Sequence, residues 1–501
     1  MRRHNMPFQV SPGVNVSEID LSTVVPAVST TEGALVGVFQ RGPVNQRVLI
    51  TSEVDLVNRF GQPTSGTYET FFTAANFLSY GNKLYVTRVV GADATNAGDN
   101  TNAGLIETRS EAEAIVSDNM FVARDVGAIG NSLRVSVCYD STDFSQSLTL
   151  LSSMSAGDTT VVAANTAVET AELETNDIIR VGNTSIGFQD LVVSGITDQG
   201  NGNTTITFLS PYRLSESSPT AATKFWRYYL NVDGAPGTGN SHIVVVDITG
   251  DISGDAFTVL EVYESVSRTS GTKDLEGNNV YYKDVINESS NYIWATGFAL
   301  TDTTNYLDFS GGTDGAAGTE STIATGRLAK GIDLYKSGED VDISLFLAGK
   351  ASTTVANYII DNVAEIRKDC VVFVSPEKSD VVEQSTGTEL DQVLGFENAL
   401  TQSSYAFMDS GYKYQYDKYN DLYRWVPLNG DMAGLCVRTD ELRDAWWSPA
   451  GYNRGIIKNS VKLAWNPDKG NRDQLYKAGV NPVITQPGQG TLLFGDKTLL
   501  A

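Results

Sequence analysis

Apolar positions along this chain fall into two textures. Ala34-Leu-Val-Gly-Val-Phe39 and Arg47-Val-Leu-Ile50 are short unbroken runs, the pattern of strands buried on both faces. Ser52 then predicts a helix start, with Asp55 at the third position and Val54, Val57 and Phe60 along one face before Gly61. A second helix begins near Thr67, places Phe71, Ala75 and Leu78 on one side and stops at Gly81. Leu84–Val90 follows as a strand. The same texture returns late in the chain. Ile343–Ala348 reads as a strand, Thr354–Ile366 as a helix and Cys370–Val374 as a second strand. That succession is a βαβ unit, which implies parallel pairing with a right-handed crossover. A strand at Tyr405–Met408, a helix around Met432–Arg438 and another from Arg472 to Lys477, ended by Gly479, complete it.

Between these stretches the pattern shortens to alternation. Gly91–Gly104 is rich in Asn, Thr, Ala and Gly and reads as a linker. Asp177–Val181 and Thr204–Leu209 are short alternating runs between Gly/Asn turns, as in a small barrel or sandwich. Ile243–Asp247 and Phe257–Tyr263 resume the strands, and Ser310–Gly315 closes the region. The expected fold is multidomain α/β plus β: a discontinuous α/β sandwich core carrying inserted β-rich domains. Residues 1–27 form an extended N-terminal arm, and 28–92 plus 317–501 form the core. Residues 93–142 plus 229–316 form one β-rich insertion, and 143–228 form a small outer barrel or sandwich.

Composition narrows the function classes. The 501 residues are 41% hydrophobic and 19% charged, with 46 glycines and 14 prolines. This is an ordinary globular balance, and the length suggests about three domains. A net charge of −24, from 60 acidic and 36 basic residues, disfavours nucleic acid and anionic lipid as partners. No apolar run approaches the ~20 residues of a membrane-spanning helix, so membrane insertion is not expected. Cys138, Cys370 and Cys436 are far apart and form no disulfide framework or CxxC knuckle, which fits a reducing compartment.

Catalytic and cofactor chemistry finds little support. His4 and His242 are the two histidines; they cannot build a histidine zinc site, and His242 reads as a strand-edge residue. Ser310-Gly311-Gly312-Thr313-Asp314-Gly315 has the glycines of a phosphate cradle but no Gly-Lys-Ser/Thr after it. Asp361 and Glu365 could pair on a helix, though a solvated face explains them. Asp417, Asp421, Asp431 and Asp440 lie among aromatics but lack the calcium-loop spacing. Neither a catalytic residue, a cofactor nor a metal ligand is assigned.

One segment stands out. Tyr412-Lys-Tyr-Gln-Tyr-Asp-Lys-Tyr419 is followed by Tyr423-Arg-Trp425. On a strand its four tyrosines would share one face, either half-buried with satisfied hydroxyls or meeting a partner, since Tyr and Trp are enriched in interfaces.

Several strings in this sequence resemble phage tail sheath proteins of T-even-type contractile tails. Towards the N-terminus they are Ser11-Pro12-Gly13-Val14, Gly37–Pro43, Ser52–Pro63, Asn76–Leu78 and Tyr80-Gly81-Asn82. Towards the C-terminus they are Gly411–Asp421, Arg424–Pro427, Ser448–Gly455, Asn481–Val483 and Gly495–Thr498. The resemblance implies a structural subunit, not an enzyme, stacked with copies of itself as hexameric rings around a tail tube. It implies baseplate and tail terminator proteins as further partners, contraction by rigid-body rearrangement that drives the tube through the host envelope, and a place in the virion after assembly in host cytoplasm. Terminal arms that add strands to a neighbour's sheet would link the subunits, using main-chain bonds. Candidate interface residues are Ser11, Pro12, Gly13 and Val14 in the arm and Tyr412, Tyr414, Tyr416 and Trp425 in the aromatic segment.

Members of the family also carry about 150 residues beyond the Gly-Asp-Lys-Thr turn, a domain-sized stretch. On that basis the 501-residue chain is expected to lack the inner domain and to be monomeric in solution. Competing readings are the sheath of a phage-derived contractile injection system or bacteriocin, a surface glycan-binding module built on the β-rich insertions, and a carboxylate enzyme.

Overall fold

The computed structural model describes residues 31–101, 103–171, 173–214, 221–301, 306–315, 318–384 and 387–500. The expected N-terminal arm, with Ser11, Pro12, Gly13 and Val14, lies outside the described residues.

A seven-stranded sheet organises the molecule. Its order is Arg47–Ile50, Leu84–Arg88, Gly33–Gly37, Leu345–Leu347, Val371–Val374, Ala406–Asp409 and Val480–Asn481. Every pairing is parallel except that of the edge strand Arg47–Ile50. Strands from the two ends of the chain meet at its centre, where Gly33 is in register with Leu345 and Leu35 with Leu347.

The unbroken apolar runs follow from this placement, because each strand feeds two cores. Ala34, Val36, Phe346, Val372, Val374 and Met408 face one; Leu35, Leu345, Leu347, Phe373 and Phe407 face the other. Helices Thr325–Ile332, Thr353–Ile359, Glu389–Asn398 and Lys469–Lys477 supply the first core. Helices Glu53–Phe60, Tyr68–Leu78 and Asn429–Leu442 supply the second. In Glu53–Phe60 the buried residues are Leu56 and Phe60. Val54 is 69% exposed, which corrects its expected place on the inner face. Helices Tyr68–Leu78 and Asn429–Leu442 touch through glycine: a Cβ on Gly430 would lie 2.3 Å from the Thr73 carbonyl oxygen.

The middle of the chain builds antiparallel sheets. One has the order Thr258–Ser267, Asn240–Asp247, Leu133–Cys138, Tyr306–Asp308. Another runs Ser145–Thr149, Ala221–Phe225, Ile178–Asn183, Gly187–Asp198, Asn203–Phe208, Thr160–Ala164. A Leu150–Ala163 bridge brings its last strand back to the first, so the six strands close around Leu148, Ile179, Val181, Leu191, Val193 and Ile206. Asp177 bolts this barrel to the neighbouring sheet. Its buried carboxylate accepts from Tyr306 Oη at 2.8 Å and has Lys224 and Arg227 at 3.5 and 3.6 Å.

Two expectations are corrected here. Gly91–Gly104 is a packed junction: Asn96 is fully buried, and its amide bonds the backbone of Ile106 and Ala123. Buried Arg88 adds a clasp, donating to the carbonyls of Phe39 and Gly42 in the α/β body and of Val126 in the insertion. His242 sits on an inner strand paired on both sides, not at an edge. Its Nδ1 accepts from the Ser265 N–H at 2.9 Å, and its ring stacks on Trp226. Burial lowers its pKa, as befits a neutral structural imidazole.

Candidate functional site

The aromatic segment forms a hairpin. Strand Tyr412–Asp417 pairs antiparallel with Leu422–Pro427, setting Tyr414 opposite Trp425 and Tyr416 opposite Tyr423. Period-two alternation puts Tyr412, Tyr414 and Tyr416 on one face. Tyr414 packs against Tyr423 and Trp425 with centroids 5.4 and 4.6 Å apart, and Tyr416 against Tyr423 at 5.3 Å. Lys462 lies over both Tyr414 and Trp425. Exposure rises along the ladder, to 46% at Tyr416 and 50% at Tyr423. Tyr412, by contrast, is buried in the chain's own core and offers no surface. Tyr419 is not the fourth member of the face: it stands an odd number of positions from Tyr412, which alternation sends to the opposite side, and the strand already ends at Asp417, where the chain turns.

The other face of the hairpin carries charge into the interior. Lys413 Nζ donates to Asp431 Oδ1 at 2.9 Å and to the Lys458 carbonyl at 2.9 Å, and both side chains are fully buried. Tyr80 Oη donates to the same carboxylate at 3.2 Å. Burial lowers the Lys413 ammonium and raises the Asp431 carboxyl, while each charge opposes the shift of the other. Asp417 is likewise buried, holding Arg424 Nε at 2.8 Å and accepting from Asn420 and the Tyr419 N–H. Of the four aspartates that lie among aromatics in the sequence, Asp417 and Asp431 are therefore internal partners of basic side chains, while Asp421 accepts from Tyr416 Oη at 2.6 Å. Among the described residues no group of three His, Cys, Asp or Glu is placed to hold a metal ion.

A second aromatic surface lies beyond helix Asn429–Leu442. Trp446 is 77% exposed and Trp447 38%, with their centroids 5.2 Å apart. Arg443 and Arg454 flank the Trp447 ring at 5.9 and 5.3 Å. Leu442 and Tyr452 are exposed on the same stretch, and Tyr452 meets Phe494 edge-on. Neither tryptophan of this pair is among the contact residues expected from the sequence. Its signal was present, since two consecutive tryptophans before Ser448-Pro449 cannot both turn inward from a short loop. Exposed tryptophan of this kind marks contact surfaces.

Residues 315–499 match the phage tail sheath protein central domain, and residues 33–89 match the tail sheath protein Gp18 domain III N-terminal region. The chain is 31% identical to the tail sheath protein of Vibrio phage KVP40 over 568 aligned residues, covering 98% of this chain and 82% of that one. It is 30% identical to the tail sheath protein of Enterobacteria phage T4, again covering 98% and 82%. Among solved structures it is similar to a sheath tail protein from Listeria innocua, with a TM-score of 0.46 and 9% identity over 94% of this chain and 69% of that one. With 31% and 30% identity to the two phage sheath proteins over 98% of its length, the chain belongs to the phage tail sheath protein family.

Proposed function

We propose that the chain is a structural subunit of a contractile tail sheath, packing helically against copies of itself around a tail tube and contracting as subunits rearrange. Its partners are then other copies, the tube protein, and the baseplate and terminator proteins at the tail's ends. Hexameric rings and rigid-body motion belong to the same reading. Such an assembly needs heterologous contacts that repeat without closing, and its driving free energy is the difference between two packings.

The observation that carries this reading is the Trp446–Trp447 surface. Large aromatic rings stand in water beside guanidinium groups, on a chain of net charge −24. Removing such rings from solvent favours association by roughly 25 cal/mol per Å² of apolar surface. The exposed end of the tyrosine ladder, at Tyr416 and Tyr423, is a second contact of the same chemistry. Within this reading residues 28–92 plus 317–501 form the core domain, as an α/β sandwich. Residues 93–142 plus 229–316 form the inserted domain, and 143–228 form the outer barrel.

Expression of Trp446→Ala/Trp447→Ala in the assembling system tests it. The variant is expected to fold, with an unchanged thermal midpoint, while electron micrographs show tubes bare of sheath. Normal sheaths built from the variant would overturn the assignment of the surface.

A further inference from the structure

The parallel sheet reverses its winding at the central pair of strands. From Gly33–Gly37 the chain moves outward to Leu84–Arg88, and from Leu345–Leu347 it moves the opposite way to Val371–Val374. Such a reversal opens a crevice beyond the carboxyl ends of the two central strands, where open α/β sheets bind ligands. The crevice here lies among Gly37, Val38, Thr70, Ala348 and Lys350. Helix Tyr68–Leu78 points its first turn into it, and Thr67 makes no side-chain cap. Its orphan amides need an acceptor.

That acceptor comes from far along the chain. Glu320 Oε1 accepts from the Glu69 N–H at 3.1 Å, and Oε2 accepts from the Thr70 N–H at 2.9 Å and from Thr70 Oγ1 at 3.0 Å. Glu320 is only 9% exposed. Its own N–H donates to the Gly66 carbonyl at 2.9 Å, so the backbone is tied as well. Lys350, just after the second central strand, binds Glu69 Oε2 at 2.8 Å and Ser321 Oγ at 2.6 Å. Three separate parts of the chain therefore meet through two carboxylates, Glu320 on the amides of the helix start and Glu69 on Lys350. Glu320 lies on the segment through which the chain returns from the β-rich sheets to the α/β body.

We propose that the Glu320 carboxylate is a built-in ligand of this crevice, latching the returning end of the insertion onto the helix Tyr68–Leu78. It occupies the place where a free anion would sit at a helix N-terminus, and it makes the insertion and the α/β body turn as one piece.

Hydrogen–deuterium exchange on the full chain tests the latch. In Glu320→Ala the amides of Glu69 and Thr70 and of residues 318–324 are expected to exchange at least ~10-fold faster, while the barrel amides keep their rates. Sodium acetate, a small carboxylate that can enter the emptied place, is expected to slow exchange at Glu69 and Thr70 back towards the unmodified rate; sodium chloride is not. Unchanged exchange at those amides would overturn the proposal, and so would acceleration that acetate and chloride affect alike. Should Glu320→Ala fail to fold, Thr70→Val removes one of the three donors. It is expected to speed exchange at 318–324 a few-fold, and unchanged rates there would overturn the latch.

Discussion

Tyr419 donates its hydroxyl to Glu53 Oε1 at 3.0 Å, although 366 positions separate the two in sequence. The same ring meets Phe71 edge-on, with centroids 5.5 Å apart. Lys418 reaches the other Glu53 oxygen at 3.2 Å, and Asn420 donates to the Pro63 carbonyl at 2.8 Å. The turn of the aromatic hairpin is thus fastened to the first two helices of the described chain. Contacts of this kind make one α/β body from two distant stretches of sequence, with the β-rich sheets between them.

Removing the Tyr419 hydroxyl tests that fastening. Tyr419→Phe keeps the ring contact and loses a charge-assisted hydrogen bond at a partly exposed site, so a loss of about 1 kcal/mol is expected. Urea unfolding monitored by circular dichroism would read it as a lower midpoint at constant slope.

The buried Lys413–Asp431 pair predicts strong non-additivity. Lys413→Met leaves the Asp431 carboxylate unpaired in the interior and is expected to cost about 3–5 kcal/mol. Adding Asp431→Leu should recover much of that loss, because two apolar side chains need no counter-charge. A double-mutant cycle measures the coupling directly.

Gly430 predicts a steric limit. A methyl group there would meet the Thr73 carbonyl oxygen at 2.3 Å, and backbone cannot rotate away as a side chain can. Gly430→Ala should lower stability by about 1–3 kcal/mol by forcing the two helices apart. Calorimetry would register the lower melting temperature.

These two sites also show how far the sequence could be read. Strands were legible because residues such as Ala34–Phe39 and Val371–Val374 are apolar on both faces, and nothing but a doubly covered sheet requires that. Tyr412, Tyr414 and Tyr416 gave the hairpin face by simple alternation. Lys413 and Asp431 were not legible as partners. Charge in a sequence is read as surface, and only the fold brings a strand and a helix close enough to bury both ends of an ion pair. Helix Asn429–Leu442 was anticipated only around Met432–Arg438, because Asn429, Gly430, Asp431 and Gly434 are buried against strands and a second helix and leave no polar stripe to define a period. Val54 misled for the opposite reason, being an apolar side chain at a helical spacing that faces water.

Asp409 predicts an unusual pH dependence. It is fully buried, with Ser375 Oγ donating to Oδ2 at 2.7 Å and the Gly411 N–H donating to Oδ1 at 2.9 Å. Burial pushes its carboxyl up to about 8, whereas in an unfolded chain it titrates near 4. Between those values the folded state holds a proton that the unfolded state has released. Its contribution is therefore complete at low pH and is lost as pH rises towards about 8, with a slope of at most about 1.4 kcal/mol per pH unit. Glu320, pushed up to about 7 by burial and by Glu69, acts in the same direction. Asp409→Asn should flatten this decline, as read from urea midpoints across the range from about pH 5 to about pH 9.

An electron cryomicroscopy reconstruction of tails assembled from this protein, at side-chain resolution, is the most direct check on a chain that works by packing against itself. Trp446 and Trp447 are expected to be covered by an adjacent copy, with the strands around Gly33 and Leu345 forming one undivided sheet within each subunit. Tryptophans left facing solvent in the finished tail, or those strands parted into separate bodies, would contradict it.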